Sequence, residues 1–112
     1  MPKPVGEIVV FVTTPSEEEA TTISRSLVEA GLVACANVLP RVRSIFRWEG
    51  KVTEEEESLI VLKTRSGLMK QLEKAIKKMH SYSVPEIIAI PIVQGSDEYL
   101  NWIRDVTSKE LK

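Results

Sequence analysis

Four stretches of apolar residues have the length and composition of β-strands. Residues 8–14 form a continuous run of β-branched and aromatic side chains, which is typical of a strand buried on both faces in the centre of a sheet. Residues 32–40 and 59–65 are two further apolar runs of strand length. Residues 86–93 form the fourth run, and Pro91 within it favours an edge strand or a bulge.

Three other segments have the periodicity of amphipathic helices. In the first, Ser16 is followed by Glu19 in the pattern of a capping box, and Gly31 provides the end of the helix. The apolar positions that recur at helical spacing are Ala20, Ile23, Leu27 and Ala30, then Leu68, Leu72, Ala75, Ile76 and Met79, then Tyr99, Trp102, Ile103 and Val106. The predicted fold is therefore α+β, a ferredoxin-like βαββαβ arrangement with an additional C-terminal helix. Right-handed crossovers place the first two helices on one face of an antiparallel sheet.

The two middle strands are predicted to form an unusually long hairpin around a turn at residues 49–51. Pro40 is expected to interrupt or bend the first arm, whose outer half alternates arginines with other residues up to Trp48. The returning arm carries four glutamates at residues 54–57, so opposite charges are expected to pair across the strands. Each arm is expected to run about 12 to 15 residues, against a usual length of about 5 to 6. The aromatic tip of the hairpin must therefore protrude, and a protruding strand edge predicts pairing with another chain.

The amino-acid composition limits the classes of protein to which this chain can belong. The 112 residues are 43% hydrophobic and 28% charged, which indicates one globular domain over residues 1–112 that needs no cofactor for folding. Fifteen basic and sixteen acidic residues argue against a general nucleic-acid or membrane-surface binder. No apolar run approaches the roughly 20 residues of a membrane span, and the N-terminus lacks a signal-peptide pattern. We therefore expect a cytoplasmic protein, and its scarce Asn and Gln residues suit a thermostable one.

Cys35 and His80 are the only cysteine and the only histidine. Cys35 is either a buried core thiol or a soft metal ligand for copper or zinc. His80 is a surface loop residue, a metal ligand or a general base. One chain offers no cluster of ligands close in sequence, so a metal site formed by Cys35 of one copy and His80 of a neighbour stays an open alternative. A Cys–His enzyme is disfavoured, since neither a positive charge nor a helix N-terminus adjoins Cys35.

A polar cleft is a further possibility, based on residue type alone. Lys63 and Arg65, together with Tyr82 and Glu86, are expected to line a site for a small anionic ligand, although no phosphate-binding glycine loop accompanies them. The glutamates at residues 54–57 alternate sides of a strand, so they cannot converge on one metal ion. The inner strands contain a single aromatic residue, which excludes the RNA-binding version of this fold.

Five segments together resemble the CutA family of divalent-cation-tolerance proteins. The similarity runs over about residues 8–103 in the order and spacing of these segments, which are residues 31–40, 44–50, 62–64, 80–88 and 99–103. The resemblance implies a homotrimer of ferredoxin-like subunits, similar in assembly to the PII signalling proteins, with long hairpins that pair between subunits. It also implies a cytoplasmic, non-catalytic role in tolerance of copper and other divalent metal ions.

The resemblance also implies site residues. It associates copper binding with Cys35 and with His80, although this chain has Met79 where some members carry a second histidine and Ser81 where the usual loop has proline. It places four residues near a cleft between subunits, namely Trp48, Lys63, Tyr82 and Glu86. The alternative function is that of a PII-like sensor, which binds a small anionic ligand in these intersubunit clefts.

Overall fold

A four-stranded antiparallel sheet organises the computed structural model, which describes residues 6–108. The elements in chain order are β1 (Glu7–Thr14), α1 (Glu17–Glu29), β2 (Cys35–Trp48), β3 (Lys51–Arg65), a 3-10 turn (Ser66–Leu68), α2 (Met69–Met79), β4 (Ile87–Pro91) and α3 (Asp97–Ser108). The strand order across the sheet is β2-β3-β1-β4, and each neighbouring pair is antiparallel. The predicted α+β fold of ferredoxin-like order is confirmed, with β3 and β1 in the centre.

The core lies between the sheet and the two helices α1 and α2. Alternate side chains of β1 and β3 point towards these helices and are buried, because successive residues of a strand face opposite sides. The buried apolar set comprises Ile8, Val10, Val12, Ala20, Ile23, Leu27, Val33, Ile60, Leu62, Leu72 and Ile76. Val9 and Phe11 on the other face of β1 are only half-buried. The expectation that this strand is buried on both faces therefore holds for one face only within a single chain.

Both ends of α1 follow local sequence rules, with one exception. Ser16 caps the helix, since its hydroxyl accepts a hydrogen bond from the backbone N–H of Glu19 at 3.1 Å. The Glu19 carboxylate does not complete the capping box and instead accepts a hydrogen bond from the backbone N–H of Ser81 at 2.9 Å. Gly31 follows the helix with a φ of 74°, a conformation that glycine adopts without steric cost.

A two-residue turn closes the hairpin between β2 and β3. Glu49 and Gly50 have φ values of 50° and 79°, as expected for the tight turns that match the twist of paired strands. Arg43 lies 3.6 Å from Glu54 across the hairpin, which confirms the predicted pairing of opposite charges. Both side chains are exposed, so this ion pair contributes little to stability.

The outer half of the hairpin extends beyond the rest of the sheet. β1 pairs with β3 only as far as Ser58. Seven further residue pairs join β2 and β3 alone, and on β2 they run from Val42 to Trp48. The register shifts just before Val42, where Arg41 has a φ of 62°, so Pro40 lies in a β-bulge. The predictions of a bend at Pro40 and of a protruding arm are confirmed. We call residues 42–57 the arm.

Helix α3 packs on the face of the sheet opposite α1 and α2. Arg65 on β3 donates hydrogen bonds to the hydroxyl and the carbonyl of Thr107, at 3.0 and 2.8 Å. Arg104 forms an ion pair with Glu7 of β1 at 2.6 Å. α3 contacts only part of this face, and large apolar side chains elsewhere on it remain exposed, among them Leu39, Ile88 and Ile90. No helix within residues 6–108 is long and apolar enough to span a membrane.

The burial of Leu62 gives a test of the core. Leu62 has no exposed surface, so we expect Leu62→Ala to lower the free energy of unfolding by about 2–5 kcal/mol through lost burial and a residual cavity. Val84 is 86% exposed, so the control Val84→Ala should change the free energy of unfolding by no more than about 0.5 kcal/mol. Denaturant unfolding at one fixed chain concentration measures both. Similar effects of the two substitutions would contradict the placement of Leu62 in the core.

Candidate functional site

Cys35 lies half-buried at the start of β2, on the face of the sheet that carries α3. Its partner across the strands is Lys63 of β3, whose Nζ is 3.9 Å from the sulfur. Lys63 also donates a hydrogen bond to the side-chain oxygen of Asn37, and the Cys35 sulfur lies 3.7 Å from the same oxygen. The expectation that no positive charge lies near Cys35 is therefore wrong, because the antiparallel register brings Lys63 beside it.

Tyr99 of α3 completes this group of polar side chains. Burial raises the pKa of Tyr99, and charge and hydrogen-bond interactions with Cys35 raise it further. Tyr99 therefore interacts with the Cys35 thiol. We call Cys35, Asn37, Lys63 and Tyr99 the thiol cluster. Chemically it presents a soft sulfur ligand surrounded by hydrogen-bonding groups and one ammonium group.

His80 is buried at the end of α2, and no part of its side chain is exposed. Its Nε2 donates a hydrogen bond to the carbonyl oxygen of Thr13 at 2.7 Å, and its Nδ1 accepts one from the backbone N–H of Tyr82 at 3.0 Å. Nδ1 also lies 3.4 Å from the Glu19 carboxylate. The interpretation of His80 as a surface loop residue is wrong, and within this chain both ring nitrogens are already engaged.

Cys35 and His80 do not meet within one chain. Lys63 of β3 pairs with Cys35 on one side and with Val9 of β1 on the other, so these three residues lie in one row across the sheet. His80 contacts Thr13 of the same strand, four residues and about 13 Å further along. Within residues 6–108 there is no group of three His, Cys, Asp or Glu side chains that is able to hold a metal ion. A metal site that joins Cys35 and His80 would thus need side chains from two copies.

A groove of about 620 Å³ lies where the arm meets the loop between α2 and β4. Three of the residues lining it are carboxylates and three are aromatic, and the others are uncharged. These charged and aromatic residues are Glu55, Glu57 and Glu86, and Phe46, Trp48 and Tyr82. We call this feature the acidic groove. It contains Trp48, Tyr82 and Glu86 of the predicted cleft, whereas Lys63 and Arg65 lie elsewhere, against Cys35 and Thr107.

Tyr82 and Glu57 form a hydrogen-bonded pair in the acidic groove. The Tyr82 hydroxyl donates a hydrogen bond to the Glu57 carboxylate at 2.7 Å. Burial strongly raises the pKa of Tyr82, and so do the hydrogen bond and negative charge of Glu57 and the charges of Glu55 and Glu19. Tyr82 is therefore held as a protonated donor that faces a carboxylate.

Glu55 and Glu57 are groove residues that the sequence pattern does not identify. The pattern predicts that residues 54–57 form one solvated acidic edge, with alternate side chains on opposite sides. The alternation itself was correct, because Glu55 and Glu57 line the groove while Glu54 pairs with Arg43 on the other side. The alternation alone does not show that the loop around Tyr82 covers one side of β3.

Comparisons with known proteins agree on one family. The family model described as CutA1 divalent ion tolerance protein matches residues 8–106. The divalent-cation tolerance protein CutA of Thermus thermophilus is 48% identical over 101 residues, which cover 90% of this chain and 98% of that protein. The solved structure of the Thermus thermophilus protein has a TM-score of 0.88 to this chain. The structure of CutA1 from Shewanella sp. SIB1 has a TM-score of 0.91, with 34% identity, and covers 96% of this chain and all of that one.

Some similar proteins are longer than this chain. Protein CutA, chloroplastic, from Arabidopsis thaliana is 43% identical over 105 residues. The match covers 94% of this chain but only 58% of the plant protein. The chain therefore spans a little over half the length of that relative.

The contact between Tyr82 and Glu57 predicts a pH-dependent stability. We expect Tyr82→Phe to lower the free energy of unfolding by about 1–3 kcal/mol near neutral pH, because it removes a hydrogen bond to a buried carboxylate. Since the pKa of Tyr82 is raised on folding, this stabilisation is complete below the ordinary tyrosine pKa of about 10 and is lost as the pH rises towards the folded value. Denaturant unfolding of both proteins across the alkaline range measures the difference. A difference that is independent of pH would contradict the assignment.

Proposed function

This chain belongs to the CutA1 divalent ion tolerance family, and we propose that it supports tolerance of copper and other divalent cations as a non-catalytic homotrimer. The match of the family model over residues 8–106 is the observation that carries this proposal. The name of the Thermus thermophilus relative describes that protein as one of divalent-cation tolerance. A cytoplasmic location stays a prediction, because the Arabidopsis thaliana relative is named as chloroplastic.

The uncovered parts of the sheet support self-association. The arm is a hairpin of two strands without a third, and such a hairpin is only marginally stable when it stands alone in water. Trp48 on the arm is 62% exposed, and Ile88 on the edge strand β4 is 53% exposed. Apolar side chains exposed along sheet edges favour pairing with another chain. A second and third copy of this chain are the partners that we propose for these surfaces.

Cys35 is the side chain that we propose as the principal metal ligand. Thiolate sulfur is a soft ligand that copper(I) prefers, and Cys35 is only half-buried. His80 is less suited in this conformation, because its side chain is inaccessible and Thr13 and Tyr82 occupy its two ring nitrogens. Coordination by His80 of a neighbouring copy would require the loop after α2 to open.

The alternative, a PII-like sensor of a small anionic ligand, has less support from the geometry. The acidic groove is lined by three carboxylates, which repel an anion. The cation expected in such a cleft, Lys63, lies in the thiol cluster instead. The sensor function stays a prediction, and no contact in the groove favours it over metal tolerance.

The trimer is tested by the mass of the assembly. We expect sedimentation equilibrium to give three times the chain mass of 12.6 kDa. Replacing the exposed Ile88 and Ile90 by lysine together should lower this mass, because it places charges on an apolar edge. A matched double substitution, Thr21→Lys with Thr22→Lys on the exposed side of α1, should leave it unchanged. A wild-type chain that remains a soluble monomer at micromolar concentration would contradict the proposed assembly.

The metal site is tested by titration with copper(I) under anaerobic conditions. We expect Cys35→Ala to lose the tightly bound copper, because it removes the thiolate. His80→Ala should keep the copper stoichiometry but unfold at a lower temperature, because its imidazole connects Thr13 to the loop at Tyr82. A competing chelator of known affinity reports the copper binding, and circular dichroism reports the unfolding.

Two outcomes would change this assignment. Equal copper binding by the wild type and both variants would remove Cys35 and His80 from the site. Loss of copper binding by a His80→Ala variant that remains folded and assembled would make His80 a second ligand, as the sequence resemblance implies.

A further inference from the structure

Lys63 carries a half-buried ammonium group without an acidic partner. Its Nζ lies 3.9 Å from the Cys35 sulfur and donates a hydrogen bond to the side-chain oxygen of Asn37. Within residues 6–108, none of the ion pairs closer than 4.0 Å includes Lys63. Partial burial of a charge without an opposite charge is unfavourable. The thiol cluster therefore contains a positive charge that an anionic ligand would compensate.

The thiol cluster lies at the end of the sheet that is remote from the arm. Cys35 is the first residue of β2, and the arm starts at Val42, roughly 20 Å along the strand. Asn37 is exposed, and Tyr99 is 43% exposed. Solvent therefore reaches the cluster, and the cluster is not part of the arm that we assign to pairing between copies.

One chain offers copper(I) a single soft ligand at this place. Copper(I) is stable in complexes with more than one soft donor, and Cys35 is the only cysteine. His80 lies about 13 Å further along the sheet, and both of its ring nitrogens are engaged. Within residues 6–108, no group of three His, Cys, Asp or Glu side chains is able to hold a metal ion. Copper bound at Cys35 therefore needs a ligand from outside the chain.

Lys63 favours one charge of that second ligand. A Cys35 thiolate together with copper(I) is neutral, so a neutral second ligand leaves the ammonium group of Lys63 uncompensated. An anionic second ligand gives a complex with a single negative charge, which the adjacent ammonium group neutralises. Because sulfur is the soft donor that copper(I) prefers, the anion of matching chemistry is a thiolate.

We propose that the thiol cluster binds copper(I) together with a small external thiolate, and that the charge of Lys63 stabilises this complex. Cys35 displaces one thiolate from a copper(I) bis-thiolate anion, and the displaced thiolate leaves as a thiol with the proton of Cys35. Neither the oxidation state of copper nor the net charge changes in this exchange. Lys63 is a positioning residue, because it acts by its charge and does not coordinate the metal. The inference rests on the proposed function, since it requires copper at Cys35.

Anaerobic titration with copper(I) and two different co-ligands tests the proposal. Acetonitrile supplies a neutral ligand, and 2-mercaptoethanol supplies a thiolate. With mercaptoethanol, we expect native mass spectrometry of the wild type to detect one external thiol retained per copper. Lys63→Met should weaken copper binding in mercaptoethanol about tenfold, because it removes the charge that faces the anionic complex. In acetonitrile it should change the affinity less than about twofold, because a neutral copper complex replaces a neutral thiol.

Two matched variants separate the charge of Lys63 from a structural role. Lys63→Arg keeps the positive charge and should bind copper in mercaptoethanol within about threefold of the wild type. Lys74→Met removes the same charge from the exposed side of α2, on the opposite face of the sheet. It should change the affinity less than about twofold with either co-ligand. Circular dichroism checks the folding of each variant, and if Lys63→Met does not fold, Lys63→Gln provides the same comparison with Lys63→Arg.

Three results would overturn the proposal. One is copper bound at Cys35 without retained mercaptoethanol, since a neighbouring copy would then complete the coordination. Another is equal weakening by Lys63→Met with both co-ligands, which would show a merely structural role. The third is equal weakening by Lys63→Met and Lys74→Met, which would show that only the overall charge matters. All three leave Cys35 as a copper ligand, whereas wild-type copper binding by Cys35→Ala would reject the proposed copper site itself.

Discussion

The register of β3 is the constraint on which both candidate sites depend. β3 pairs with β2 along most of its length, and its inner half pairs with β1 as well. Because side chains alternate, a slip of one residue would exchange the sides of Glu55 and Glu57 with those of Glu54 and Glu56. The same slip would move Lys63 away from Cys35. The β-bulge at Pro40 and Arg41 adds one residue to β2 and so reverses the alternation of its side chains beyond that point. As a result, Phe46 and Trp48 lie on the same face of the sheet as Cys35.

Local patterns in the sequence predict most of the fold because they depend on neighbours within a few residues. The turn before Lys51, the bend at Pro40 and the end of α1 at Gly31 all follow from residue-specific backbone preferences. The capping box shows the limit of such patterns. Glu19 has the correct spacing from Ser16, yet its carboxylate accepts a hydrogen bond from Ser81, which is distant in the sequence. A tertiary donor thus replaces the local one, and the pattern gives no sign of it.

The candidate site was less predictable, because it depends on contacts between distant segments. Scarcity and the family resemblance both select Cys35 and His80, but they indicate neither the accessibility nor the partners of these side chains. Lys63 lies beside Cys35 because of strand pairing, and His80 is buried because it joins the end of α2 to Thr13 of β1. The acidic groove combines four segments of the chain, namely both strands of the hairpin, the loop before β4 and Thr13 of β1. Periodicity places the first two on one side of the arm, whereas the position of the loop depends on the whole fold.

The exposed arm and the buried carboxylate of Glu57 are physically connected. If neighbouring copies cover the arm, they also exclude water from the acidic groove, and the free-energy cost of the buried carboxylate increases.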